Sequence, residues 1–569
     1  MMKCTPLLVA QALAALTILF AGCSVAVDPY KKKLLGRTLV IVSFVAAAAL
    51  LLRLPFTRPP FYGLEYEDSY VYVSAGRLIA SHGNVLPDPP LSAFLITGCA
   101  VGSLEACQTR TAFAAHYLGY PALLAWIVSL VGYTHNIGYY VALLANVLSI
   151  VLLCLLVARS SHNQTLAVLA AAIMAFTPVF VVYGTTSLSE PFSALLVITS
   201  LYGYCRIRDA EAGHERMRFV VILAALAVTL LFAVLVKREN LVLPLAFTFD
   251  TAFLALLSHG RRANDLLKTL GSVAMFAVVL ILALWKLGIL QTAHSEARQF
   301  GTTPFSLLYA AHLLPSLAGA LGQWGWFMGA WIPLLLALTV NLRESHLLRV
   351  TLLTLFGYLI LCTTHVRGFY FLHGDDNPVG WLRYLCNMSG LISIAVAFGV
   401  LQGLALARRV LQPSSRTSIV RGGILVALCG LVAVSAICST ALREDLGGDE
   451  QAYRIVPALR AERIALSTDG GEPYIVTFEP VILEMFGEAR TKFVDISAVT
   501  NDLLSRLKRS GVTHVIFLDQ TIYRTGEDAQ RFAQQLSLLH SLEGRSIYKD
   551  RNCEIVILDL IADHVTTLA

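Results

Sequence analysis

The sequence predicts an all-α polytopic membrane protein that ends in a small α/β domain. Of its 569 residues, 56% are hydrophobic and 14% are charged, whereas about a quarter of the residues of a typical soluble protein are charged. Its apolar segments recur at about the 20 residues that a helix needs to cross a bilayer, and they lack the alternating character of barrel strands. Beyond about residue 442 the hydropathy falls and short strand-like runs begin. The first two observations predict the membrane helices, and the third predicts the final domain.

About eleven apolar segments have the length of a spanning helix. They cover approximately residues 38–55, 136–157, 165–183, 187–205, 219–236, 241–257, 269–285, 326–342, 349–364, 383–405 and 422–441. A further apolar stretch, Leu7 to Val27, ends in LFAGCS, which resembles a lipoprotein cleavage pattern at Cys23. We interpret residues 1–37 as a twelfth spanning helix, or a spurious upstream start, followed by a basic cytoplasmic link. Lipoprotein processing is the alternative, but it would leave KKKLLGR outside the cell.

Lys and Arg residues are concentrated in alternate loops. One set of short loops holds about eighteen of them, from Lys31 to Arg421, and the longer loops of the opposite set hold about half as many. Because cytoplasmic loops carry the excess of basic residues, the first set is predicted to be cytoplasmic. The chain is therefore expected to be a multi-pass protein of the cytoplasmic (inner) membrane. Residues 38–441 form its membrane domain, and the first outer loop (56–136) and the final domain (442–569) face the periplasm or exterior.

The two large outward segments differ in character. The first outer loop contains YPALLAWIVSLVG (Tyr120 to Gly132), a helix too short to span a bilayer and expected to lie along its surface. In the final domain YIVTF, HVIFLD and CEIVILDL indicate buried strands, and VTNDLLSRLKRSG indicates an amphipathic helix that stops at a glycine. This alternation predicts an α/β sandwich of about 120 residues. It has no glycine-rich phosphate loop, which favours a scaffold or acceptor-gripping role over a second catalytic site.

An acidic segment opens the first outer loop. GLEYEDSYVYVSAGRL (Gly63 to Leu78) places Glu65, Glu67 and Asp68 shortly after the first predicted span. A solvated loop would explain three carboxylates at a membrane edge, since they cost little there. Their position in a longer series of motifs favours a functional role instead.

Four further motifs follow on the same predicted side of the membrane. In chain order they are HYLGYPALLAWIVSLVG (His116 to Gly132), SEP (Ser189 to Pro191), KRENL (Lys237 to Leu241) and RYL (Arg383 to Leu385). With Glu67-Asp68-Ser69-Tyr70 before them, the series resembles the C-type (GT-C) glycosyltransferases, especially the bacterial branch similar to protein O-mannosyltransferases and the aminoarabinose transferase of lipid A. The chain departs from that family at Glu67, where aspartate is usual, and at the single Pro121, where two prolines are usual. The resemblance covers most of the membrane region.

The resemblance implies a GT-C-like fold and the inverting transfer of a sugar from a polyprenyl-phosphate donor to an extracytoplasmic glycan, lipid or protein. A lipid-borne donor also agrees with the absence of a P-loop or Rossmann fingerprint from the sequence, since nucleotide sugars are not supplied outside the cytoplasmic membrane. Asp68 is the expected catalytic base and Glu67 the alternative, while Glu190 would orient the acceptor or share a metal. The expected ligands of the donor phosphate are Lys237, Arg238 and Arg383. A snorkelling pair at a helix end is the alternative for the first two.

Other polar residues of the outer loops are candidates to line the cavity. They are Tyr70, Tyr72, His116, Arg367, His373, Asp375 and Asp376, and a plain polar loop is the alternative for the last four. His373 beside the two aspartates suits a divalent cation, but a solvated loop is the simpler interpretation, and GT-C proteins differ in whether they bind such a cation. Cys99 and Cys107 form a disulfide or remain two free thiols. No nucleic-acid-binding motif is present.

Two other classes of protein compete with an enzyme. A transporter or flippase would have ionisable residues in the middle of spanning helices and an internal repeat with broken helices. The predicted helix centres are nearly free of charge, and no clear repeat is visible. A catalytically silent relative that serves as an assembly scaffold is compatible with Glu67 in place of aspartate. The sequence favours the glycosyltransferase and leaves the scaffold as the main alternative.

Overall fold

The computed structural model describes part of the chain. The described residues are 37–57, 72–73, 76–77, 79–80, 94–95, 119–134, 137–212, 216–257, 307–343, 345–364, 379–410, 433–442, 458, 461–462, 474–477, 490–494, 501–509, 511–520, 527–549 and 553–560. The chain divides into two compact units: unit 1 is Met1–Thr57 with Gly138–Leu446, and unit 2 is Arg58–Ile137 with Gly447–Ala569. Unit 2 thus combines the loop that is predicted to be the first outer loop with the C-terminal residues, a grouping that the sequence did not predict.

Helices dominate unit 1, and unit 2 adds a sheet. The helices are α1 (Arg37–Arg53), α2 (Gly119–Val131), α3 (Ile137–Ser161), α4 (Gln164–Phe176), α5 (Pro178–Tyr183), α6 (Glu190–Ala212), α7 (Arg216–Val236), α8 (Val242–Leu257), α9 (Leu307–Gly322), α10 (Trp324–Phe327), α11 (Trp331–Ala337), α12 (His346–Thr364), α13 (Val379–Asn387), α14 (Ser389–Val410), α15 (Ala433–Leu442), α16 (Asn501–Arg509) and α17 (Glu527–Ser541). One-turn 3-10 helices lie at Leu54–Thr57 and Arg238–Leu241. The strands are β1 (Phe94–Leu95), β2 (Tyr474–Thr477), β3 (Arg490–Val494), β4 (His514–Gln520), β5 (Arg545–Lys549) and β6 (Cys553–Asp559).

Four helices in the described part of the chain are long and apolar enough to cross a membrane. They are Ile137–Ser161, Phe219–Val236, His346–Thr364 and Ser389–Leu406. Each overlaps a span that the hydropathy of the sequence predicts, so the chain is a multi-pass membrane protein. The predicted N-terminal helix, the span at 269–285 and most of the span at 422–441 lie outside the described residues.

Three predicted spans are wrong in detail, because each is divided into two helices. The hydropathy of the sequence predicts single helices at 165–183, 326–342 and 383–405. The first divides at Thr177, since Pro178 has no N–H with which to continue the hydrogen bonds of α4. The second divides at Met328 and Gly329, whose φ angles of 55° and 69° lie in the left-handed region. The third divides at Met388, between α13 and α14.

The helices of unit 1 pack on one another through small and branched side chains. α6 packs against α7 and α13, α8 against α12, and α14 against α4 and α11. At the contact between α14 and α11, a Cβ on Gly399 would lie 1.7 Å from the carbonyl oxygen of Pro333. The two backbones approach this closely only because residue 399 has no side chain.

Unit 2 contains a six-stranded mixed sheet with strand order β1-β3-β2-β4-β6-β5. The pairs from β1 to β4 are parallel, and β6 is antiparallel to both β4 and β5. The predicted strands β2, β4 and β6 and the predicted helix α16 are confirmed, whereas β3, β5 and α17 were not predicted. β1 comes from the predicted first outer loop, and its residues Phe94 and Leu95 pair with Phe493 and Val494 of β3.

One face of this sheet is covered by α16 and α17. The amphipathic pattern of each helix puts apolar side chains on a single stripe, which is buried against the strands. Gly511, with a φ of 79°, follows α16 and lets the chain turn into β4, as the predicted glycine stop requires. The core consists of Leu504, Leu507, Val512, Val515, Phe517, Leu539, Val556, Leu558 and Leu560.

Candidate functional site

Glu190 is held at the start of α6. Its helix follows a buried turn at residues 184–189, and the Ser193 N–H donates to the Ser189 carbonyl at 2.8 Å. A carboxylate in a first turn interacts favourably with the partial positive charge of the helix N-terminus. Pro191 fits beside it because backbone N–H groups there have no partner within the helix. Glu190 is only 4% exposed, so its charge requires a partner in the protein.

Lys237 is that partner. It lies between α7 and the 3-10 turn Arg238–Leu241, with an extended backbone. Its Nζ donates to Glu190 Oε1 at 2.9 Å and lies 4.6 Å from the centre of the Tyr384 ring. Lys237 is 5% exposed. A buried ion pair therefore joins the start of α6 to the end of α7.

Arg383 brings a second cation to the same carboxylate. Its Nε lies 3.9 Å from Glu190 Oε1, and its Nη2 donates to the Tyr384 hydroxyl at 3.2 Å. The guanidinium carbon is 5.1 Å from the centre of the Tyr384 ring, so both cations face one aromatic side chain. Three residues from three separate sequence motifs, Glu190, Lys237 and Arg383, thus come together in unit 1.

Two cations share the Glu190 carboxylate, and the Glu239 carboxylate also acts on Lys237. Within the described part of the chain, Glu190 Oε2 is buried and has no hydrogen-bond partner. Burial acts to lower the pKa of the Lys237 ammonium, but the Glu190 and Glu239 carboxylates outweigh this and raise the pKa above its ordinary value. Lys237 is therefore charged at neutral pH. Cations in such a desolvated setting attract an anion more strongly than the same charges would in water.

Arg53 is a buried cation that the sequence analysis missed. It ends α1, is 0% exposed, and its Nη1 donates to the Ala175 carbonyl at 2.8 Å. It therefore caps the C-terminus of α4, where unpaired carbonyls favour a cation. Its Nη2 also donates to the Phe180 carbonyl of α5, and α5 packs against α13, the helix of Arg383. The available signal was a lone arginine near the predicted outer end of an otherwise apolar span.

A second buried charge cluster lies at the other end of α6. The Tyr204 hydroxyl donates to Asp250 Oδ2 at 2.9 Å, Arg349 Nε donates to Asp250 Oδ1, and His346 Nδ1 lies 3.2 Å from Oδ2. Tyr204 follows Glu190 by fourteen residues of the same helix, or about 21 Å at 1.5 Å per residue. Asp250 is an exception to the expectation of uncharged helix centres. Its cluster joins α6, α8 and α12 far from the candidate site.

The other predicted site residues have different outcomes. Arg238 follows Lys237 and is half-buried, but the described ion pairs to Glu190 come from Lys237 and Arg383. Tyr72 belongs to unit 2, where its buried ring meets Tyr120 edge-on at 5.4 Å. The remaining predictions lie outside the described residues: Glu67, Asp68, Tyr70, Cys99, Cys107, His116, Arg367, His373, Asp375 and Asp376. Among the residues that the structure describes, no three His, Cys, Asp or Glu side chains form a metal site.

The sequence of the central region is similar to a known protein family. Residues 116–285 match the family model described as dolichyl-phosphate-mannose-protein mannosyltransferase. This region includes α2 to α8 and therefore carries both Glu190 and Lys237. The similarity to GT-C glycosyltransferases that the motifs predict is confirmed. No curated protein matches the sequence.

Solved structures show which fold the chain resembles. The chain is similar to ArnT from Cupriavidus metallidurans, solved with undecaprenyl phosphate bound, with a TM-score of 0.54 at 13% identity over 95% of this chain and 99% of that one. A second match is the oligosaccharyltransferase of Archaeoglobus fulgidus in its apo form, with a TM-score of 0.48 at 14% identity over 86% of this chain and 70% of that one. The match to ArnT shows that the chain has an ArnT-like fold.

Proposed function

We propose that the chain transfers a sugar from a polyprenyl-phosphate donor to an acceptor at the outer face of the cytoplasmic membrane. The observation that carries this proposal is the buried cluster in which Lys237 and Arg383 share the Glu190 carboxylate. The ArnT-like fold supports a lipid phosphate as ligand, since ArnT was solved with undecaprenyl phosphate bound. The distribution of basic residues among the loops supports the outward orientation. The acceptor is a glycan, a lipid or a protein of the cell envelope.

Lys237 and Arg383 bind the donor phosphate in this proposal. One of the three N–H groups of the Lys237 ammonium donates to Glu190, which leaves two that can turn towards a phosphate oxygen. The planar guanidinium of Arg383 suits two phosphate oxygens at once. Glu190 neutralises part of the positive charge, which lowers the energetic cost of burying two cations close together.

The reaction is a single displacement at C1 of the sugar. The oxygen of the acceptor hydroxyl forms a bond to C1, the bond between C1 and the phosphate oxygen breaks, and its electron pair remains on the polyprenyl phosphate. The hydroxyl proton passes to Asp68, or to Glu67 in the alternative assignment, acting as general base. Attack from the face opposite the phosphate inverts the configuration at C1.

The phosphate gains negative charge during this step. The donor is a phosphodiester with one negative charge, whereas the product is a phosphomonoester with about −1.5 to −2 at pH 7. Buried cations therefore stabilise the departing phosphate more than they stabilise the bound donor, and only such differential binding raises the rate of the chemical step. Lys237 and Arg383 thus contribute to kcat as well as to donor binding.

The test is transfer from a panel of radiolabelled polyprenyl-phosphate sugars by the purified chain in proteoliposomes, with envelope extract as the source of acceptor. We expect one donor to be consumed, and we expect the variant that lacks the base to lose about 10²- to 10⁴-fold in rate. The variants compared are Asp68→Asn, Glu67→Gln and Glu190→Gln. Arg206→Met is the matched control, because it removes a cation from α6 itself, sixteen residues after Glu190, or about 24 Å along the helix.

Two outcomes would contradict the proposal. Native rates in all three carboxylate variants would show that the assigned site is wrong. If the native chain consumed no donor of the panel, the catalytically silent scaffold would be the better description.

A further inference from the structure

Asn240 uses every hydrogen-bonding position that a carboxamide offers. Its Nδ2 donates to Ser193 Oγ at 2.8 Å and to the Ala233 carbonyl at 2.7 Å. Its Oδ1 accepts from the Tyr358 hydroxyl and from Asn387 Nδ2, the latter at 3.3 Å. Asn240 is 0% exposed. A buried amide that is satisfied on every side favours one arrangement of the segments around it.

Three of the four partners lie one helical turn from a charged residue of the candidate site. The pairs are Ser193 with Glu190 in α6, Ala233 with Lys237 at the end of α7, and Asn387 with Arg383 in α13. The Ala233 carbonyl also accepts the backbone N–H of Lys237 at 2.9 Å, and the Asn240 N–H donates to the Lys237 carbonyl at 3.1 Å. One carboxamide therefore links the three backbone segments that carry the three charges. The fourth partner, Tyr358, ties this junction to α12.

We propose that Asn240 is a positioning residue of the transferase site. It holds the segments of Glu190, Lys237 and Arg383 at the spacing in which both cations meet one carboxylate and, with donor bound, one phosphate. This inference rests on the proposed function and deepens it. The Asp250 cluster also links three helices, α6, α8 and α12. It lies about 21 Å along α6 from Glu190, so it does not set the spacing of the three charges.

Loss of the carboxamide lets the three segments shift relative to one another. A misplacement of about 1 Å costs an enzyme roughly 10²-fold in rate, so Asn240→Ala is expected to lower kcat by about 10²-fold. Ser193→Ala and Tyr358→Phe each remove one hydrogen bond to Asn240, and each is expected to lower kcat by roughly 2- to 10-fold. Thr354→Val is the control. Thr354 lies in α12 one turn before Tyr358, and its hydroxyl donates to the Val350 carbonyl of the same helix rather than to Asn240.

A double-mutant cycle separates positioning from a general loss of stability. If Asn240 positions Lys237 together with the other two charges, Asn240→Ala will lower the rate by a smaller factor in the Lys237→Met background than in the native background. Multiplicative losses in the double variant would overturn the proposal. Ser193→Ala and Tyr358→Phe, each combined with Lys237→Met, run the same cycle if Asn240→Ala does not fold.

A second readout does not depend on sugar transfer. Acetic anhydride modifies accessible lysine amines, and mass spectrometry of the digested chain reports the extent at each lysine. We expect Lys237 to be protected in the native chain and modified at least several-fold more in Asn240→Ala, while Lys549, whose side chain is 67% exposed, reacts equally in both. Unchanged protection of Lys237 would overturn the positioning role. A native chain that transfers no sugar would instead refute the proposed function, and the labelling would still decide whether Asn240 holds the ion pair.

Discussion

Replacing Lys237 with methionine removes one of the two cations that share the Glu190 carboxylate. Methionine keeps an unbranched apolar chain in contact with the Tyr384 ring, so the charge is the main property that changes. Because Arg383 Nε remains 3.9 Å from Glu190 Oε1, the carboxylate keeps a partner. The loss of stability is then that of one charged hydrogen bond, about 1.5–3 kcal/mol.

Glu190→Gln is expected to cost more stability than Lys237→Met. It leaves Lys237 and Arg383 buried beside each other without their common anion, and an uncompensated buried charge costs about 3–5 kcal/mol. The double variant Lys237→Met/Glu190→Gln leaves a single cation and should be more stable than Glu190→Gln alone. This order follows from the shared carboxylate, since an isolated pair would lose similar stability whichever partner was removed.

The variants should rank differently in catalytic rate and in stability. Removing one group that stabilises developing charge lowers kcat by about 10²- to 10³-fold, or 2.7–4 kcal/mol, so both Lys237→Met and the double variant should be nearly inactive. Thermal unfolding in detergent measures how the variants rank in stability. Single-turnover transfer from the polyprenyl-phosphate donor measures how they rank in catalytic rate. Arg206→Met again serves as the control on α6.

Either of two results would refute this reasoning. A Lys237→Met enzyme within threefold of the native kcat would show that Lys237 does not stabilise the departing phosphate. A Glu190→Gln variant at least as stable as Lys237→Met would show that the two cations do not depend on one carboxylate.

Three further predictions concern other parts of the chain. Arg53→Ala should lower thermal stability by about 1–3 kcal/mol, because it leaves buried carbonyls at the end of α4 unsatisfied; native stability in detergent would contradict this cap. Burial acts to raise the pKa of Glu554, but the Lys549 ammonium, which donates to Glu554 Oε2 at 3.0 Å, outweighs it and holds the pKa below 4.5. The contribution of the Glu554 carboxylate to stability is therefore complete above about pH 4.5 and is lost as the pH falls through the lowered pKa. Glu554→Gln should make the hydrogen-exchange protection of β6 less sensitive to acid, and an unchanged response to acid would argue against the ion pair between Lys549 and Glu554. Finally, a cysteine introduced at Ser69 should react with an impermeant maleimide from outside intact cells; protection there would contradict the predicted topology.

The class of fold could be predicted because it depends on local properties of the chain. Hydrophobic length alone locates α3, α7, α12 and α14, and strand-like runs locate β2, β4 and β6. The breaks at Pro178 and Met328 were missed, since the spans around them keep the same hydropathy. β1 was missed for another reason: Phe94 and Leu95 form a strand only by pairing with β3, almost four hundred residues later in the chain.

The candidate site was predictable in part for a similar reason. SEP, KRENL and RYL are recognisable by residue type, and the positive charge of Lys237 opposes the bias expected on the predicted outer side. Glu190, Lys237 and Arg383 could therefore be selected from the sequence. Arg53 could not, because a lone arginine near the outer end of a span normally reaches the interface. Asn240 could not either, because its role depends on partners in four different helical segments.

The sequence by itself determined that this chain crosses the membrane many times, that it ends in an α/β fold, and which charged residues stand out on the predicted outer side. These properties follow from hydropathy and charge, which each segment carries regardless of its neighbours. The tertiary structure alone decided that Lys237 and Arg383 share one carboxylate, and that Asn240 links the segments that carry them. Apart from the local bond between Asn240 and Ala233, such contacts join residues 47 to 193 positions apart. Only the packing of α6, α7, α12 and α13 brings those residues together.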